Sequence, residues 1–113
     1  MYVVYDGRAD AAIIAEGDQA FNYLSNGDDV IALTVSGATA DTYTIIDIIG
    51  DMGGDQGFGW DVAGVTNATM NHTLVRKSTV TSGNTDWSAS AGTTTENSEW
   101  IVLDQDTLSL IHI

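Results

Sequence analysis

The sequence predicts a mainly-β domain, a sandwich or barrel of short strands. Two observations carry that expectation. Apolar, β-branched or aromatic runs recur, as in YVVY, VIALTV, YTIIDII and EWIVL. Segments rich in Gly, Asn and Asp, such as LSNGDD and GDMGGDQGFGWD, separate them and carry turn chemistry. At 113 residues the chain has the length of one domain, and it can bury roughly two thirds of its unfolded surface.

Taken in order, Tyr2 to Tyr5 reads as a short strand. Asp10 can cap one short helix near residues 10–16, Ala11 to Glu16, closed by Gly17. Asn26-Gly27 is a turn signal before a strand from Asp29 to Val35. Tyr43 to Ile49 is a second strand, apolar and β-branched except at Asp47; its length and flanking glycines favour strand over a short buried helix. Gly50 to Asp61 holds five glycines in twelve residues and reads as a loop. His72 to Lys77 is a strand. Ser82 to Asn97 reads as a long polar surface loop, and Glu99 to Leu103 as the closing strand. No repeat or domain linker interrupts the series.

Composition bounds the function. Hydrophobic residues make up 43% of the chain, too many for disorder. Cysteine is absent, which excludes disulfides, thiolate metal sites and cysteine nucleophiles. Sixteen acidic residues against three basic ones leave a net charge of −13. Phosphate binding is built from Lys and Arg, so nucleic acid is not an expected partner. No apolar run approaches the ~20 residues needed to span a bilayer, so membrane insertion is not expected either. A basic region followed by an apolar stretch is not seen at MYVVYDGRAD, so no signal peptide is legible.

Reactive constellations are thin. The histidines are His72 and His112, without a defensible nucleophile spacing or metal-ligand pair. A small hydrolase using His72 is the weakest reading, and the chain is expected not to be an enzyme. Carboxylates at Asp28, Asp29, Asp51 and Asp55 lie on turns or strand ends and could supply oxygens to calcium. The plainer reading of the same residues is turn chemistry, with side chains accepting from nearby backbone N–H groups. Calcium is therefore the one cofactor entertained. Trp60, Trp87 and Trp100 could stack on sugars, but in a small β domain such rings more often fill the core. Trp100, within the closing strand, is read as core. Trp87, in the polar stretch, is read as the exposed one.

Two of the three basic residues, Arg76 and Lys77, are adjacent. Alternation places Leu74 and Arg76 on one strand face and Lys77 on the other. With Leu74 pointing inward, Arg76 is drawn partly inside and needs a carboxylate, for which Asp47 is the natural partner. Lys77 is then solvated. The rival is an anion-binding pair, which the strongly negative chain disfavours.

The ordered series NGDDVIAL, IIDIIGD, GWDVAG, HTLVRK and EWI with DQDT resembles the bacterial lamin tail domain, over about Tyr2 to Thr107. The resemblance implies an immunoglobulin-like β-sandwich. Family members begin with further strands, so the chain resembles an N-terminally incomplete member. It departs at Asp55-Gln56-Gly57, where the family has Asp-Pro-Gly, and after Thr107. Residues 1–108 are accordingly read as the domain, and 109–113 as a tail of doubtful nativeness. The residues the resemblance marks as fold-defining are Asp28, Asp29, Asp47, Trp60, Leu74, Arg76 and Lys77, with Trp100 beside them.

What the resemblance implies for function is a non-catalytic structural or interaction module of a larger extracellular or cell-surface bacterial protein. Its partners would be other domains of the parent, often a hydrolase. An open sheet edge would favour a homodimer. The alternative is a calcium-dependent adhesion or carbohydrate-binding module.

Overall fold

The computed structural model describes residues 2–22, 27–54 and 57–107. Strand residues outnumber helical ones, and the described strands form three two-stranded sheets. The elements are β1 (Val4–Tyr5), α1 (Ala11–Ala15), β2 (Gln19–Ala20), β3 (Ile31–Thr34), β4 (Ile45–Ile49), β5 (His72–Arg76), α2 (Trp87–Ala91) and β6 (Trp100–Asp104).

The N-terminal unit is local. β1 and β2 pair in parallel, with α1 as the crossover. Asp10 caps α1 by accepting from the Ala12 N–H at 2.9 Å, as the sequence predicts. Gly17 follows the helix because a Cβ there would lie 2.1 Å from the Tyr5 ring. β2 was not expected; two residues are too few to show alternation.

The core lies beyond this unit, and no residue from 2 to 22 belongs to it. Two antiparallel ribbons supply much of it. β3 pairs with β4, with a register shift between Leu33 and Thr34, and β5 pairs with β6 in unbroken register from His72↔Asp104 to Arg76↔Trp100. Ile48 of β4 and Trp100 of β6 are buried, and Leu74 and Val102, opposite each other in the second ribbon, pack against the same cluster. The segment after β4 adds Trp60, Val62 and Ala68, and α2 adds Trp87 and Ala91. A buried tryptophan removes on the order of 200 Å² from water. Three of them make the indoles the largest single contribution to this core.

The polar stretch from Ser82 to Asn97 is not a surface loop. It contains α2, and Trp87, expected to be exposed, is buried at 8% exposure. Asp86 caps the helix through the Ala89 N–H at 3.2 Å. Trp87, Ser90 and Ala91 are buried together because positions one, four and five of a helix share a face. Gly92, at φ +64°, ends the helix. The carbonyls left open at that end are taken up by the rest of the fold: Ser90 O accepts from Glu99 N and Ala91 O from Ala63 N, both at 2.9 Å.

Candidate functional site

Two structures stand out: a polar hub around Arg76 and an open cleft beside α2. The hub begins with β5. Arg76 faces Trp100 across the ribbon, its guanidinium 4.4 Å from the ring centroid. Its fork donates to Asp47 of β4, Nη1 to Oδ2 at 2.6 Å and Nη2 to Oδ1 at 3.1 Å. Nη2 also reaches Glu99 Oε2 at 3.1 Å and Ser90 Oγ at 3.2 Å. Asp47 is thus the partner that the strand pattern predicts. The Arg76 side chain is 15% exposed, and the side chains of Asp47 and Glu99 are 21% and 28% exposed, so the group is half-buried rather than dry. Arg76 Nε is buried and has no hydrogen-bond acceptor among the described residues.

Further groups close the hub. Ser90, fully buried, also accepts from Trp100 Nε1 at 2.8 Å. Asn84 donates its backbone N–H to Asp47 Oδ1 at 3.0 Å and its side-chain amide to both Glu99 oxygens at 3.3 Å. The loop can approach β4 this closely because residue 83 is glycine; a Cβ there would lie 2.2 Å from Ile46 O. Both ribbons and α2 therefore meet on one guanidinium, and the loop before α2 is tied to its two carboxylate partners. Glu99, Ser90 and Asn84 were missed in the sequence. Glu99 has a legible signal: it sits beside Trp100, itself paired to Arg76.

Lys77 is half-buried rather than solvated, and its Nζ donates to Thr95 O. The two adjacent cations are thus both engaged by protein oxygens.

Trp60 ties the first motif to the third. Its backbone N–H donates to Thr69 Oγ1 at 2.7 Å, and that hydroxyl donates to Gly27 O at 2.6 Å. The indole Nε1 donates to Asp29 O at 3.2 Å. Gly27, at φ +99°, passes so near Thr69 that a Cβ would lie 2.5 Å from its carbonyl oxygen. Asp28 is half-buried in this turn and Asp29 is exposed.

Among the residues weighed for calcium, Asp51 makes a turn, its Oδ1 accepting from Gly53 N at 2.9 Å. Asp55 lies outside the described residues, as do the tail 109–113 and His112. No group of three or more acidic or histidine side chains that could hold a metal ion occurs among the described residues, so Asp28, Asp29 and Asp51 are not brought together. His72 sits opposite Asp104, its Nδ1 2.7 Å from Met70 O.

The cleft is an open cavity of about 740 Å³ between the end of β4, the following glycine-rich loop and α2. Its apolar lining includes Ile45, Met52, Trp60 and Trp87, and its charged lining is Asp51, Asp61 and Asp86. Trp60 and Trp87 meet edge to face at 6.5 Å and 79°. Trp60 is further fixed by Gly50 and Gly54, where added Cβ atoms would lie 2.8 and 3.1 Å from its ring. The two indoles form the cleft floor. Comparison of the chain with protein-family models, with curated proteins and with solved structures finds no match.

Proposed function

We propose that the chain is a non-catalytic interaction module, an immunoglobulin-like β domain similar to the bacterial lamin tail domain, within a larger extracellular protein. One observation carries the reading. Several residues of the ordered motifs serve the framework: Asp47 and Arg76 bind each other, Trp60 and Trp100 are core, and the turn at Gly27 to Asp29 is fastened to Trp60. Two antiparallel ribbons facing one core are what an aligned sandwich needs at its centre. Among the described residues each strand has one edge without a strand partner, which suits assembly with other domains of a parent or with a second copy. His72, on which a hydrolase would rest, is engaged with Met70 O within its own ribbon.

The test is turnover. The purified chain and its His72→Ala variant are assayed on chromogenic esters, phosphodiesters and glycosides. The module reading expects no difference between the two and no rate above buffer. A rate lost in His72→Ala contradicts it.

A further inference from the structure

We infer that the cleft beside α2 docks a basic segment of a partner polypeptide, Lys or Arg side chains lying along its apolar floor with their charged heads at its acidic rim. The inference rests on the module reading and assigns that module a binding face.

Four features of the cleft point to this occupant. First, Met52 lines it at 61% exposure, in a glycine-rich loop that leaves it uncovered. An exposed apolar side chain beside a concave aromatic floor is surface suited to a partner. Second, the rim carries one sign of charge. Asp51, Asp61 and Asp86 each commit Oδ1 to a backbone N–H, of Gly53, Asn67 and Ala89 respectively. Oδ2 of each takes no hydrogen bond among the described residues. A ligand with an aliphatic stem and a cationic head matches floor and rim together. Third, these carboxylates do not form a group that could hold a metal ion among the described residues. They are spaced round a cavity of about 740 Å³, which suits several side chains of a segment better than one ion. Fourth, a net charge of −13 steers a basic partner in and repels an acidic one.

A second copy of this chain is a poor occupant. Its three basic residues are each engaged, Arg8 with Asp6, Arg76 in the hub and Lys77 on Thr95 O. Two copies would also bring like charge together.

The probe is a synthetic Gly-Ser peptide with a central Lys-Leu-Lys, titrated into the ¹⁵N-labelled chain and followed by amide chemical shifts. Shifts are expected at residues 51–54, 60–61 and 85–93. The triple variant Asp51→Asn, Asp61→Asn, Asp86→Asn keeps the Oδ1 acceptors, so the turns and the α2 cap hold and the melting temperature is retained. It should weaken the peptide about tenfold, since exposed charge pairs are each weak. An equal charge change at exposed sites outside the cleft, Glu16→Gln, Asp41→Asn, Glu96→Gln, should weaken it by less than about twofold, because salt screens distant charges. Met52→Ala should weaken it without changing the net charge. No shift, shifts spread over the acidic surface, equal losses in the two triple variants, or calcium moving the same resonances and displacing the peptide would each overturn the inference. A folded, inactive chain with a silent cleft removes this inference alone, whereas turnover removes the module reading beneath it.

Discussion

Replacing Arg76 by alanine takes the cation out of a polar contact that joins both ribbons and α2. Removing one partner of a buried ion pair costs about 3–5 kcal/mol, because the other charge is left without compensation. Here Asp47 and Glu99 retain 21% and 28% of their side-chain surface, so water can rehydrate them and the loss falls towards the bottom of that range. The contact with the Trp100 ring adds about 0.5–1 kcal/mol. Against that, Arg76 Nε is buried without an acceptor, and its removal recovers about 1 kcal/mol. The net is about 2–3 kcal/mol, a large part of the ~5–15 kcal/mol that holds a domain together. Lys77→Ala loses one hydrogen bond near the surface and should cost about 1 kcal/mol or less. Arg76→Lys keeps the charge but loses the fork, and should fall between the two. Urea unfolding followed by tryptophan fluorescence reads all three variants, since all three indoles lie in the core. At ~1–3 kcal/mol per molar urea, the Arg76→Ala midpoint should move by about 1–2 M. Equal and small effects of Arg76→Ala and Lys77→Ala would refute the hub as the organising contact.

Three further perturbations follow from the same contacts. Gly83→Ala places a Cβ 2.2 Å from Ile46 O, so the loop must lift off β4; a loss of about 2 kcal/mol or more is expected in the same urea assay, with weakened protection of the Asn84 amide. Ser90→Ala strips the acceptor from Trp100 Nε1 and one from Arg76, and should cost about 1–2 kcal/mol without changing helix content by circular dichroism. The Arg8 guanidinium, bonded to Asp6, lowers that carboxyl from 3.8 to about 2. A depressed folded pKa contributes stability that is present above 3.8 and is lost as pH falls towards 2, so this pair should weaken across that window; in Arg8→Ala, carboxyl NMR titration of Asp6 should move up towards the ordinary range but stop below it, because the backbone N–H of residue 8 still donates to Asp6.

The sequence is legible where one residue contradicts its surroundings. A lone acid in YTIIDII and a lone arginine beside an inward leucine had to find each other, because neither charge is tolerated half-buried without a partner. The capped helix after Asp10 and strands β3 to β6 were legible for a similar reason, as β-branched runs or caps with a local mechanism. α2 was not. Its five residues, WSASA, are too few to show a period against a background of Ser, Thr and Asn, although Asp86 before them is a cap signal of the kind read at Asp10. With α2 unseen, Trp87 was placed on the surface, and Ser90 and the cleft could not be anticipated. Lys77 was misjudged because its acceptor is a backbone carbonyl eighteen residues away, which side-chain chemistry does not announce.

The central claim is that the two ribbons and α2 form one cooperative unit around Arg76. Thermal melting of the purified chain, read together by tryptophan fluorescence and far-ultraviolet circular dichroism, in calcium and in EDTA, tests it most directly. The account predicts a single transition, coincident by the two probes and unmoved by calcium. Separate transitions, or a melting temperature that rises with calcium, would contradict it.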